Sequence, residues 1–242
     1  MKGIVLAGGK GTRLRPVTKV LNKNLLPVYD KPMIIYGVNL LANCGIDEIA
    51  IVAEPHYHRD YWKILRRGSN YGVRIEYIND NYDKKGPAQA VYHAKDFAGG
   101  NPCAVLFADC IFDETFRSDV ENFVSGAVEF VRKVENPKRY GVVEMDSAGN
   151  VISIEEKPDK PKSNWICSGF GLYDNSLFSK IKEIKPGPKG EYYMTDVVKL
   201  YLKQGKLRAR KISGFATDAG TFDSLLEASN YWAKKSNKRL SE

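Results

Sequence analysis

Gly3-Ile4-Val5-Leu6-Ala7-Gly8-Gly9-Lys10-Gly11-Thr12-Arg13-Leu14-Arg15-Pro16 is the stretch on which the reading of this chain turns. The run from Gly3 to Leu6 reads as a buried first strand. Three glycines then bare backbone N–H groups, while Lys10, Arg13 and Arg15 bring positive charge. A loop built this way at the end of a strand suits a polyphosphate. Two familiar glycine loops fail on spacing. A Walker A loop needs Lys and a hydroxyl directly after its last glycine, but Lys10 lies between glycines and Thr12 is followed by Arg13. The dinucleotide fingerprint fits Gly9 and Gly11 and meets Leu14 at its third position. Asp30, near the offset of a ribose-binding acid, belongs to the loop Pro27-Val28-Tyr29-Asp30-Lys31-Pro32. A tight turn with its charges in water remains the bland alternative. Asn22-Lys23-Asn24-Leu25-Leu26-Pro27 weighs against it by placing another cation just after the loop.

Outward from the loop, the first half alternates strands near 2–7, 48–53, 73–78 and 103–108 with helices near 33–43, 57–67, 87–97 and 115–124. Such spacing predicts right-handed βαβ crossovers. In the second half, strands near 127–134, 141–145, 150–155, 166–173 and 207–212 mix with helices near 175–183, 194–203 and 222–235. Val142, Val143 and Met145 before Asp146-Ser147-Ala148-Gly149-Asn150 predict an antiparallel hairpin. The expectation is an α/β, three-layer, Rossmann-like fold with a mixed, mostly parallel sheet. With no linker or repeat in 242 residues, one domain over 1–242 is expected.

Composition narrows the class. No apolar run approaches the ~20 residues of a membrane span, and Met1 leads straight into the first strand, so a cytoplasmic protein is expected. Cys44, Cys103, Cys110 and Cys167 have no framework spacing, and His56, His58 and His93 have no zinc spacing. The net charge of +8 is dispersed through Arg66-Arg67, Lys84-Lys85, 157–162 and 234–239, without a nucleic-acid module. A small anionic substrate accounts for these clusters better than nucleic acid does. Asp109, ending the apolar run Ala104-Val105-Leu106-Phe107, could coordinate a divalent metal or cap the next segment. Asp218 could equally begin the turn into the last helix.

The pair L-A-G-G-x-G-T-R-L and K-x-L-L-P resembles the signature of sugar nucleotidylyltransferases, and more narrowly of glucose-1-phosphate thymidylyltransferases. Further blocks follow in the order of that family, from Gly86-Pro87-Ala88-Gln89-Ala90 and Ala108-Asp109-Cys110-Ile111-Phe112 to Arg139-Tyr140-Gly141-Val142-Val143-Glu144. Glu155-Glu156-Lys157-Pro158, then Lys189-Gly190-Glu191 with Thr195-Asp196, and Thr217-Asp218-Ala219-Gly220-Thr221 complete the series. The resemblance implies transfer of a nucleotidyl group from a nucleoside triphosphate, dTTP foremost, to a sugar 1-phosphate, glucose 1-phosphate foremost. Residues 1–125 would mainly bind nucleotide and 126–242 mainly sugar.

Residue by residue, the resemblance implies Mg²⁺ on Asp109 and Asp218, with Arg13 and Lys23 on the triphosphate and Lys157 on the sugar phosphate. Asp109, Arg13, Lys23 and Lys157 would then be the catalytic set. Leu6, Gly8, Gly9, Gly11, Thr12, Arg13, Asn81 and Gly86 would contact the nucleotide. Tyr140, Gly141, Glu156, Lys157, Ser168 and Gly169 would surround the sugar. No activated Ser, Cys or His nucleophile is evident, which fits direct displacement. The family also implies a homo-oligomer without nucleic-acid or membrane partners. Departures cluster where selectivity is set. Cys110 stands for the usual Asn, Ala216 for Trp, and Asn24 and Asn81 for the base-contacting glutamines. The resemblance is to short members of the family, so a secondary nucleotide site is not expected. Uridylyl or cytidylyl transfer to another phosphorylated compound, or nucleotide-sugar binding without catalysis, stay open at this level.

Overall fold

The computed structural model describes residues 1–81, 85–187 and 190–239, with side chains described through residue 237. Lys84 and Lys189, noted in the sequence, lie outside the described residues, as does the side chain of Arg239. In chain order the elements begin with β1 Lys2–Leu6, β2 Pro27–Val28, β3 Lys31–Pro32, α1 Met33–Asn43, β4 Glu48–Ala53, α2 Pro55–Leu65 and β5 Arg74–Asn79. Next come α3 Pro87–His93, α4 Lys95–Ala98, β6 Cys103–Phe107, β7 Cys110–Asp113, α5 Arg117–Glu121, β8 Ala127–Lys133 and β9 Gly141–Met145. The chain continues through β10 Val151–Glu156, β11 Trp165–Tyr173, α6 Leu177–Glu183, α7 Met194–Lys203, β12 Leu207–Lys211, β13 Phe215–Asp218 and α8 Phe222–Arg239.

A nine-stranded sheet runs β10-β9-β11-β6-β1-β4-β5, with β8 on β11 and β12 on β8. β5, β4, β1, β6, β9, β8 and β12 point one way, and only β11 and β10 oppose them. The mixed, mostly parallel α/β fold expected from the sequence is what forms. β6 is apolar along its length because both of its faces are covered. One face packs α1 and α2 through Ile34, Val38, Leu41, Tyr61 and Leu65; the other packs α3, α6 and α7 through Ala88, Val91, Ile181, Val197 and Tyr201. Local chemistry sets the ends of these helices. Pro55 opens α2, two residues earlier than expected. After α1, Gly45 and Ile46 donate to the carbonyls of Ala42 and Leu41 in a Schellman closure.

Three aromatic rings consolidate the first face. Phe130 stacks on Phe170 with centroids 4.6 Å apart, and Phe116 meets them at 4.6 and 5.2 Å. Phe116 is fully buried. Phe116→Ala is expected to lower unfolding free energy by about 3–5 kcal/mol, read from the urea midpoint at constant m. A loss under about 1 kcal/mol would mean that the site collapses around the vacancy.

Two features of this sheet prepare a site. β11 is shared along one edge: Phe170–Tyr173 pair with β6, whereas Ile166 pairs with Val142 of β9. The partner changes across residues 167–169, where the ladder to β8 also breaks register. Gly169, with φ +83°, turns the strand there. The second feature is the antiparallel pair β7–β13, which the sequence pattern does not reveal because each strand has only four residues. A small core of Leu14, Met33, Ile111, Ala219 and Ala228 joins this pair to the glycine loop and to α8.

Candidate active site

The glycine loop leaves β1 where Ala7 N–H still donates to Val52 O at 2.8 Å. Gly11, at φ +56°, accepts Thr18 Oγ1 on its carbonyl at 2.7 Å. A Cβ at 11 would lie 2.9 Å from Thr18 Cγ2 and 3.1 Å from Lys23 Cβ, so the glycine lets the loop close on the Lys23 turn. Asn22 caps that turn by accepting Asn24 N–H at 2.8 Å. Leu14, wholly buried, anchors the loop from the other side.

Held in this way, Lys23 Nζ donates to Asp109 Oδ2 at 2.7 Å. Asp109 follows β6, and its carbonyl accepts the N–H of Ala219, directly after Asp218, at 2.8 Å. The β7–β13 ladder opposes Asp218 to Cys110, so the two aspartates end neighbouring segments. Asp218 Oδ1 accepts from Arg132 Nη2 at 2.8 Å and from Tyr140 OH at 2.7 Å. Burial raises the pKa of Asp109, but Lys23, with a backbone hydrogen bond and Arg13 behind it, outweighs burial and leaves the carboxyl below its ordinary value. The Cys110 thiol is pushed well up by burial and by both aspartate charges. It therefore stays protonated and is no nucleophile. Two carboxylates facing one cavity are hard oxygen donors suited to a small divalent cation. Among the described residues no third His, Cys, Asp or Glu joins them as a metal cluster.

The other end is built by β9, β10 and α7. Lys157, at φ +45°, leaves β10 with its N–H donating to Tyr140 O at 2.9 Å. Its Nζ reaches Glu156 Oε1 at 2.9 Å and sits 4.8 Å from the centre of the Tyr193 ring. Thr195 Oγ1 donates to Glu156 Oε2 at 2.9 Å. A Cβ at Gly141 would fall 2.4 Å from Thr195 Cγ2, so this wall requires glycine. Ser168 Oγ is buried, without a hydrogen-bond partner among the described residues, at the place where β11 changes neighbours.

One cavity of about 880 Å³ spans both ends, a size suited to small-molecule ligands. Leu6, Gly8, Gly9, Arg13, Lys23 and Gly86 line its glycine-loop end. Asp109 and Asp218 lie between, and Tyr140, Gly141, Glu156, Lys157, Ser168 and Gly169 line the remainder. Gly11, Thr12 and Asn81 do not line it. Gly11 serves loop closure, and Thr12 and Asn81 are exposed. Asp80 takes the inner position expected of Asn81, because its N–H still pairs with Ala53 O at 2.8 Å at the end of the sheet. Asn24 is buried under the loop, its Nδ2 donating to Ala7 O at 2.8 Å. Ala216 pairs with Phe112 and packs in the first apolar layer. Sequence reasoning missed Arg132, Tyr193 and Glu129. Arg132 shares its strand face with Val128 and Phe130, and a cation in that apolar row was a signal that could have been read.

Residues 2–235 match the model of the family described as Nucleotidyl transferase. A glucose-1-phosphate thymidylyltransferase of Xanthomonas campestris pv. campestris is 42% identical over 239 residues, covering 95% of this chain and 80% of its own. The Neisseria gonorrhoeae protein of the same name is 40% identical over 238 residues, covering 96% and 82%. A Bacillus anthracis protein solved with sucrose superposes with a TM-score of 0.90 at 41% identity, covering 96% of this chain and 94% of that one. A UDP-glucose pyrophosphorylase solved with UDP-glucose superposes at 0.85 and 26% identity, covering 97% and 98%. A strand-end glycine loop, a carboxylate pair and a lysine-bearing wall around one cavity thus occur in a chain whose relatives are named glucose-1-phosphate thymidylyltransferases, and the chain belongs to the nucleotidyl transferase family.

Proposed function

We propose that the protein transfers a thymidylyl group from dTTP to a sugar 1-phosphate, giving a dTDP-sugar and pyrophosphate, with glucose 1-phosphate the acceptor suggested by the relatives' names. The observation that carries this reading is the placement of Asp109 and Asp218 side by side, between the glycine loop and the Lys157 wall. Residues 1–125 would hold the nucleotide and most of 126–242 the sugar, within a single domain acting where nucleoside triphosphates are made, in the cytoplasm.

An oxygen of the sugar phosphate attacks the α-phosphorus while the bond from that phosphorus to the bridging oxygen breaks, and pyrophosphate leaves. Both reactants are anions, so charge neutralisation and alignment dominate what the protein supplies. Gly8 and Gly9 let backbone approach the phosphates, and Arg13 and Lys23 meet the charge that grows on the leaving group. Lys157 holds the acceptor phosphate, with Glu156 steadying its ammonium. Gly141 and Glu156 border the sugar ring. Asp109 and Asp218 would hold Mg²⁺, which would supply positive charge against that of the phosphate groups. Arg132 and Tyr140 keep Asp218 oriented.

Pyrophosphate release across a matrix of dTTP, UTP, CTP and sugar 1-phosphates tests this reading. Turnover with dTTP supports it. Turnover with UTP or CTP but not dTTP overturns the thymidylyl assignment, and none with any pair overturns the transferase. Gly220 adds a narrower check. A Cβ there would sit 2.7 Å from Arg13 Nη2, the free end of a flexible side chain. Gly220→Ala should leave the melting temperature unchanged and raise the KM for the triphosphate roughly tenfold, because a displaced guanidinium loses its alignment. An unchanged KM would remove Arg13 from the triphosphate site.

A further inference from the structure

Glu129 departs from the row in which it stands. On β8, Ala127, Glu129 and Val131 share a face, and the two flanking residues belong to the apolar layer under α3, α6 and α7. The glutamate is 4% exposed, yet it lines the cavity with Val105, Met194 and Val198. Its Oε1 accepts from Tyr173 OH, and the Cys167 thiol is its other hydrogen-bonding neighbour. Gly171 lies opposite it in the β8–β11 ladder. A Cβ at 171 would fall 2.9 Å from Glu129 Oε1 and 2.6 Å from Tyr173 OH, so bare backbone makes the room this carboxyl occupies.

The group is continuous with the sugar wall. Cys167 feels the charges of both Glu129 and Glu156. A Cβ at Gly141 would lie 3.4 Å from Cys167 Sγ and 3.6 Å from Glu156 Oε2. Glu129, Cys167, Gly141 and Glu156 thus form one surface, which starts at the proposed acceptor phosphate site and ends at a buried carboxyl. Charge accounting then singles out that end. Asp109, Asp218 and Glu156 each have a cation, in Lys23, Arg132 and Lys157. Glu129 makes no ion pair among the described residues, and its hydrogen-bonding neighbours are neutral. Burial pushes its carboxyl up to about 7, against those two neighbours. A hydroxyl from a ligand would add one more neutral donor. An ammonium would supply the missing counter-charge.

We propose that Glu129, where it lines the cavity, forms a subsite for a protonated amino substituent of the acceptor, so that the preferred acceptors are amino-sugar 1-phosphates. This rests on the sugar-phosphate transferase reading and narrows its substrate class. Glu129 is then a specificity-determining residue, remote from the reacting atoms.

The test compares glucosamine 1-phosphate, its 3-amino and 4-amino isomers and glucose 1-phosphate with the same nucleotide. Pyrophosphate release gives kcat/KM, and calorimetric titration gives affinity independently of turnover. At least one amino isomer is expected to exceed glucose 1-phosphate about tenfold in both. Glu129→Gln keeps an oxygen for Tyr173 OH and removes the charge; it should reduce that preference to within about threefold. A purely structural Glu129 would move the melting temperature and affect all acceptors alike. Equal affinity for amino and hydroxy acceptors, or an unchanged preference in Glu129→Gln, overturns the proposal. Failure of the transferase reading would appear separately, as no pyrophosphate from any pair while the difference in affinity persists.

Discussion

Asp109→Asn should reduce pyrophosphate release by at least about a hundredfold while the melting temperature and circular dichroism stay close to those of the parent. Asparagine keeps the shape of the side chain and an oxygen that accepts Lys23 Nζ, so the 2.7 Å contact survives in weaker form. The backbone link from Ala219 N–H to Asp109 O is untouched, and with it the junction of β7 and β13. The variant therefore isolates one property, the negative charge. That charge exists in the parent because Lys23 and Arg13 hold the carboxyl below its ordinary value in spite of burial. Without it, one of the two hard anionic donors facing the cavity is gone, and Lys23 is left partly uncompensated beside the triphosphate. Release at half the parental rate or better, at saturating Mg²⁺, would refute the metal-holding role. An accompanying fall in melting temperature of several degrees would instead assign Asp109 to the fold.

Arg13, Lys23, Asp109, Lys157 and Asp218 could be named from the sequence because motif blocks carry them at strand ends or sharp turns. The layout was readable for the same reason: long runs such as Ala104-Val105-Leu106-Phe107 keep one periodicity from end to end. What stayed hidden depends on which elements become neighbours. β7 and β13 are too short to show a period and become strands only by pairing with each other. Arg132 is 86 residues from Asp218, and nothing in 127–134 names its partner. Asn81 and Asp80 show the limit of a one-residue register. Both are polar residues at a strand end, and only the last sheet hydrogen bond, at residue 80, decides which faces inward. Glu129 was legible as a charge in a buried strand, but its meaning depends on Gly171 and Tyr173, which reach it through the β8–β11 ladder.

Lys23→Met carries the second large expectation, and its signature is pH dependence. In the parent, Lys23 and Asp109 form a pair whose side chains are 15% and 13% exposed. Asp109 titrates below the ordinary aspartate value of 3.8 when folded. A carboxyl lowered on folding stabilises the protein above its unfolded pKa and loses that contribution as pH falls through the folded one. Removing the ammonium leaves burial opposed only by a backbone hydrogen bond and, more weakly, by Arg13, so the folded pKa rises and an uncompensated carboxylate remains at neutral pH. The variant should then be less stable than the parent by about 3 kcal/mol at pH 7. The gap should narrow as pH is lowered towards 3.8, where Asp109 takes up a proton in the variant and the parent begins to lose its advantage. Urea unfolding at a series of pH values reads this directly, and a gap that is constant with pH would sink it. Turnover should fall at least about a hundredfold, with the acidic limb of the residual activity moved to higher pH. In an Asp109→Asn background the same lysine substitution should cost far less stability, because the buried charge it strands is already absent. Equal costs in both backgrounds would show that Lys23 acts on the fold through contacts other than Asp109.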